Sequence, residues 1–170
     1  MKIASTPDAI EAAKKIHKLK VPNVIITSYE VVDDGSAAVA HDLHITEKLH
    51  ALEVTVANAF ADGTLTAVEP CGVLHSLLSV YDGDEEGYRM YDVRMPKYGP
   101  YVSGTGDLFT AILCGLLCRG ASIKDAWEHA LESTQAMLRN TLLRGRSELA
   151  FVQTHSRIHE PLLQLTSRSL

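Results

Sequence analysis

The residues best suited to chemistry are Gly104-Thr105-Gly106-Asp107, a glycine-rich turn that runs directly into an apolar stretch from Leu108 to Arg119. Two glycines allow a tight turn and a close approach of the backbone to a ligand. A helix beginning here presents unpaired N–H groups and the positive end of its dipole to whatever occupies the turn. Such a place suits a phosphate, or the charge of a phosphoryl group in transfer. Asp107 puts a carboxylate where it could take the proton of an attacking hydroxyl. Together these residues point to phosphoryl transfer, although a bare G-x-G-D fits a plain structural turn and helix cap equally well.

The elements that must hold this turn read as alternating helix and strand. Ser5 or Thr6 can cap a first helix, Thr6 to Leu19, with Pro7 suited to its opening turn. Ala9, Ile10, Ala13, Ile16 and Leu19 recur at helical spacing as its buried stripe. Pro22 and Asn23 break the pattern, and Val24 to Thr27 reads as a short strand covered on both faces. Leu74 to Tyr81 and Tyr88 to Met95 read as a hairpin around the acidic link Asp82 to Gly87. The spacing of that link does not fit an EF-hand, so its charges are expected in solvent.

After the turn, Leu108, Ile112, Leu113, Leu116 and Leu117 predict a helix apolar on most sides and therefore largely buried, ended by Gly120. Ser122, with Asp125 three residues on, opens a second helix. Its inner face is Ala126, Ala130, Leu131, Thr134, Met137, Leu138 and Leu142, with Trp127 a packing residue.

Composition narrows the function classes. The chain has 170 residues, 46% of them hydrophobic, which fits one domain or a piece of one. A net charge of −5 and a pI near 5.9 argue against a nucleic-acid or anionic-membrane surface. No apolar run is long enough to span a bilayer, and Met1 to Ser5 lacks the apolar core of a secretion signal, so a cytoplasmic location is expected. Three cysteines without a C-x-x-C pair suit a reducing compartment. Cys114 and Cys118 share a helix face and read as small core residues, not metal ligands. His41, His44 and His50 lack partners at zinc-like spacing and read as exposed loop residues.

Val102-Ser103-Gly104-Thr105-Gly106-Asp107-Leu108-Phe109 resembles the signature of the ribokinase-like kinases, and most closely that of pyridoxal kinases. Two further segments agree in order. Val24-Ile25-Ile26-Thr27-Ser28 is similar to that family's nucleotide-side strand, which ends in a Thr-Ser pair. Ser147 to Gln153, followed by Ser156-Arg157-Ile158, is similar to its closing strand and tail. The resemblance covers the C-terminal half of such an enzyme. It implies an α/β fold, namely the C-terminal half of a ribokinase-like three-layer α/β/α sandwich, with residues 1–170 forming a single partial kinase domain.

The resemblance also implies transfer of the ATP γ-phosphoryl group to the 5′-hydroxymethyl of pyridoxal, pyridoxine or pyridoxamine. Asp107 matches the general base, and the N–H groups of Gly104, Thr105 and Gly106 match an anion hole. Thr105 matches a nucleotide contact; Gly106 and Asp107 match the vitamer side. Thr27 and Ser28 match residues near the ATP phosphates and a monovalent cation such as K+. Tyr98, Gly99 and Pro100 fall where the family borders adenosine. The family uses Mg2+ or another divalent cation, organised by an Asn-x-x-Glu motif in its upstream half. No Asn-x-x-Glu occurs in this chain, so no metal ligand is assigned here. The full-length family form is a homodimer.

Plain structural roles stay open for the same residues. Thr27 and Ser28 could simply end a strand, Tyr98-Gly99-Pro100 could be an ordinary turn, and Asp107 could cap a helix. At the level of the whole chain, the alternatives are a non-catalytic nucleotide-binding or dimerisation remnant, or a hydroxymethylpyrimidine or sugar kinase. Residues 35–72 do not fit the family. They include a possible amphipathic helix from His41 to Asn58, with Leu43, Leu49, Leu52 and Val56 on one side. The stretch reads as an insertion, a divergent pair of strands, or translated sequence that splicing normally removes. Half of such a fold is expected to expose an apolar face and a strand edge.

Overall fold

Residues 2–31, 68, 70–83, 87–159 and 165–170 are described by a computed structural model of the chain. They divide into two units: 2–31, 72–97 and 166–170 form the first, and 68, 70–71, 98–159 and 165 the second. Most of the stretch 35–72, with His41, His44, His50 and the helix expected from His41 to Asn58, lies outside the described residues.

The first unit holds helix α1 (Thr6–His17) and strands β1 (Asn23–Tyr29), β2 (Gly72–Tyr81), β3 (Tyr88–Lys97) and β4 (Arg168–Ser169). The strands form one antiparallel sheet in the order β1-β2-β3-β4. Ser5 caps α1 by accepting from the Asp8 N–H at 3.2 Å, and Asp8 accepts in return from the Ala4 N–H at 3.1 Å. Ala9 and Ala13 are buried from this helix and join Val24, Tyr29 and Leu77 in a core. Ile16 and Leu19, expected in that stripe, are exposed. The helix stops at His17, so Leu19 lies beyond it, and the chain turns away at Lys20, which takes a left-handed φ of 63°. His17 fills the buried place instead. Its Nδ1 donates to the Val21 carbonyl at 2.7 Å, and Nε2 meets the Ser79 hydroxyl at 2.8 Å.

The expected hairpin is present. β2 and β3 pair from Gly72–Lys97 to Tyr81–Tyr88, and Arg89 clasps Asp82 at 2.6 and 2.8 Å beside the link. Pro96 cannot donate to a ladder, yet β4 reaches only Tyr91 and Asp92, so Pro96 costs β3 no bond on that side.

One carboxylate ties all four strands. Asp92 of β3 is fully buried and accepts from Tyr29 Oη of β1 at 3.1 Å and from His75 Nδ1 of β2 at 3.0 and 3.2 Å. Arg168 of β4 donates to it through Nε at 3.1 Å and Nη2 at 3.0 Å. Burial works to raise the Asp92 carboxyl, but the His75 bond and charge, then Arg168 and Tyr29, outweigh it and hold it below the usual carboxylate range. The same burial, with the Asp92 charge beside it, pushes the Tyr29 hydroxyl up to about 12.

The second unit holds α2 (Thr105–Cys118), α3 (Ile123–Leu143) and the short α4 (Phe151–Thr154), which continues into a 3-10 turn at His155–Ile158. Gly120, at φ 87°, ends the α2 segment as expected. Ser122 caps α3 by accepting from the Asp125 N–H at 3.1 Å. Trp127 is wholly buried, as a packing residue should be. Deeper in α3, the Thr141 hydroxyl donates to the Met137 carbonyl at 2.7 Å and accepts from the Ala150 N–H at 3.0 Å.

Three expectations fail in this unit. The α2 helix is not largely buried: Leu108, Phe109 and Ile112 are, but Ala111, Gly115 and Leu117 are exposed. Cys114 and Cys118 are exposed and are not core residues. Apolar composition favours burial but does not supply a neighbour for every face, and α3 covers only part of α2. The closing strand expected over Ser147 to Gln153 is reduced to one parallel bridge between Ser103 and Glu148, after which the chain turns helical at Phe151. A strand needs a ladder partner along its length, and one bridge does not provide it. The mixed α/β class stands, and among the described residues no helix is long and apolar enough to cross a membrane.

Two stability measurements check this account. Asp92→Ala should cost about 3 kcal/mol in urea unfolding, the low end for a broken buried pair because Arg168 is partly in solvent. The folded-state pKa of Asp92 lies below its unfolded value, so its contribution is whole above roughly pH 4 and drains as pH falls through the lower folded-state value. The gap between parent and Asp92→Ala should therefore close on acidification. Thr141→Val keeps the shape but removes both hydroxyl bonds, and should cost about 1–3 kcal/mol at any pH from 5 to 8.

Candidate functional site

The Gly104 turn is built as the sequence requires. Gly104 sits at the N-cap of α2 with φ 90° and ψ −2°, a left-handed conformation that side chains rarely adopt. A Cβ there would also lie 3.5 Å from Leu149 Cδ1, so Leu149 forms the floor of the turn. Just before it, Ser103 N–H donates to the Ser147 carbonyl at 3.0 Å and anchors the entry. The first backbone bond of α2 runs from Leu108 N–H to the Gly104 carbonyl at 3.0 Å. The N–H groups of Thr105, Gly106 and Asp107 therefore precede the helical ladder and face outward as donors. Gly106 has open space where a Cβ would stand.

Asp107 lies in the first turn of α2 and is exposed. A carboxylate closing the cap would reach back to the Gly104 N–H, and no such bond forms among the described residues. Among the described residues, the Asp107 carboxylate makes no hydrogen bond or ion pair. Thr110 does bond within the turn, its hydroxyl donating to the Gly106 carbonyl at 2.9 Å. That bond meets the Gly106 carbonyl within the first turns of the helix.

Tyr98, Gly99 and Pro100 also belong to the second unit. They form a bend after β3, with Tyr98 half-buried and Gly99 and Pro100 exposed. Thr27 and Ser28 belong to the first unit, near the end of β1. The register there breaks: Ile26 pairs with Leu77, but Tyr29 pairs with His75. Two residues of β1 thus oppose one of β2, which is a β-bulge. Thr27 and Ser28 are both exposed, against the alternation a regular strand imposes. The Ser76 hydroxyl donates to the Ile26 carbonyl at 3.0 Å and holds the bulge on its near side.

The sequence named these groups but not what supports them. Leu149 under Gly104, Ser76 beneath the bulge and the Asp92 cluster carry no local signal. Only pairing of distant strands brings them into place. The second unit also has an apolar cavity of about 720 Å³, lined in part by Leu108, Ile112, Phe151 and Ile158, and it includes none of the expected site residues. Among the described residues, no three His, Cys, Asp or Glu side chains converge as a metal site requires.

No protein-family model and no curated protein matches this chain by sequence. Solved structures do match it by fold. A pyridoxal kinase from Leishmania donovani, in complex with ADP and pyridoxine, superposes with a TM-score of 0.70 at 21% identity, over 99% of this chain and 44% of that one. A pyridoxal kinase from Trypanosoma brucei gives 0.66 at 20% identity, over 98% and 45%. One from Entamoeba histolytica gives 0.65 at 17% identity, over 99% and 44%. The chain thus spans under half the length of the structures it matches. In fold it is similar to a little under half of a pyridoxal kinase, consistent with the C-terminal half that its motifs resemble.

Proposed function

We propose that this chain is one partial kinase domain that supplies the catalytic turn for ATP-dependent phosphorylation of a B6 vitamer, pyridoxal or its relatives pyridoxine and pyridoxamine. The observation that carries the reading is the state of Asp107: an exposed carboxylate, tied to no cap, in the first turn of a helix whose leading N–H groups are open. A carboxylate that closed the cap would be hydrogen-bonded to the backbone at the helix start, whereas this one is open to a ligand.

The steps follow from these groups. Asp107 accepts the proton of the vitamer's 5′-hydroxyl as that oxygen attacks the γ-phosphorus. The new O–P bond forms while the bond to the β-phosphate oxygen breaks, and ADP leaves. The N–H groups of Gly104, Thr105 and Gly106 hold the charge on the phosphoryl oxygens, with Thr105 also toward the nucleotide and Gly106 toward the vitamer. Thr27 and Ser28 offer hydroxyls to the ATP phosphates and to a cation such as K+, and Tyr98-Gly99-Pro100 borders the adenosine. Magnesium enters with ATP as part of that substrate. The chain's own described residues do not fit a resident divalent ion, and no step runs through one.

A second reading has its own support. The exposed apolar side chains Leu117, Phe151 and Val152 favour a chain that binds nucleotide without turning over, as a remnant or a dimerising module. Turnover by the parent chain and by one variant separates these readings. Asp107→Asn should lower pyridoxal 5′-phosphate formation from pyridoxal and MgATP by at least about 100-fold, with the melting temperature unchanged. A variant that keeps its turnover would make Asp107 a first-turn charge that favours the helix dipole, not the base. A folded parent chain that binds nucleotide but forms no product would establish the binding module.

A further inference from the structure

The bulge that presents Thr27 and Ser28 is held at both ends by buried polar groups outside every motif. On the near side, the carbonyl of Ile26, the last regular pair before the bulge, is met by Ser76 Oγ at 3.0 Å. On the far side, Tyr29 restores the pairing opposite His75. Its hydroxyl is fixed by Asp92 Oδ1 at 3.1 Å, and its ring packs against the His75 ring with centroids 5.5 Å apart. Asp92 is in turn fixed by His75 and by Arg168. Arg168 stands directly opposite Asp92 in the β3–β4 pairing, and Leu170 N–H donates to the Met90 carbonyl at 3.0 Å.

These contacts form one connected path from the C-terminal strand to the bulge. A bulge left to itself can slip its extra residue along the strand, because each register offers similar backbone bonds. Here slipping by one residue would pull Tyr29 off Asp92, taking one donor from a buried carboxylate and its acceptor from a buried hydroxyl. The cluster therefore selects one register, the one in which Thr27 and Ser28 both face solvent.

We infer that Asp92, His75, Arg168 and Ser76 are positioning residues for the Thr27-Ser28 bulge, so that docking of the C-terminal strand sets the geometry of those two hydroxyls. The consequence for nucleotide binding rests on the reading of Thr27 and Ser28 given under the proposed function. The positioning itself does not.

Arg168 is the residue to change, because its side chain is 57% exposed, so replacing it opens no cavity in the sheet core. In the full 170-residue chain, Arg168→Met should displace the amide resonances of Thr27 and Ser28 in a 1H–15N spectrum recorded without ligand. Arg168→Lys should return them toward the parent positions. Ser76→Ala, acting from the opposite side of the bulge, should displace the same two resonances. Movement confined to Asp92, Tyr91 and Leu170, with Thr27 and Ser28 unmoved in both variants, overturns the inference. A titration with MgATP then reads the layer above. Weakening by about tenfold in Arg168→Met, recovered in Arg168→Lys, ties the bulge to the nucleotide. Displaced resonances with unchanged affinity uphold the positioning and refute the assignment of Thr27 and Ser28 to the phosphates.

Discussion

The sheet of the first unit depends on one buried charge. Asp92 receives a donor from each of the other three strands, and those donors lie 63, 17 and 76 residues away in sequence. A carboxylate out of water is costly unless every lone pair is met, and here Tyr29, His75 and Arg168 meet them. The arrangement is selective more than it is stabilising. An apolar residue of similar volume could fill the space, but it would not tell one strand register from another. Burial supplies the attraction between strands, and the carboxylate decides how they are aligned.

The two groups of site residues are held by different physics. Around Gly104, the geometry is local: a left-handed glycine, a helix start, and Thr110 bonding back four residues. Such a turn is set by residues that are neighbours in the chain, and among the described residues it is Ser147, Glu148 and Leu149 that reach it from elsewhere in its unit. Around Thr27 and Ser28, the geometry is non-local. Nothing in Ile26-Thr27-Ser28-Tyr29 demands a bulge, and the extra residue exists because β2 supplies Ser76 and His75 at that level.

The exposed side of α2 shows the limit of reading burial from composition. Its run of leucine, isoleucine and alanine predicts a helix surrounded by protein, and in a longer kinase-like fold more of the surface would have neighbours. In this chain Leu117, Cys114 and Cys118 face outward, and Phe151 and Val152 do so nearby in sequence to the Glu148 bridge. Exposed apolar side chains of this number favour association.

Features governed by a few adjacent residues were fixed by the sequence alone. Ser5 and Ser122 as caps, Gly104 and Gly120 as left-handed positions, the β2–β3 hairpin and the order of helices after the turn all rest on bonds spanning about four residues or a short link. The resemblance of the Gly104 turn to a kinase signature belongs to the same class, because the motif is its own structure. Tertiary structure decided the rest. It chose which faces of α2 have a neighbour, put His17 in place of Leu19, set the bulge at Thr27 and Ser28, and joined four strands on Asp92. Each of these depends on partners dozens of residues away, and periodicity along one segment contains no information about what another segment brings to it.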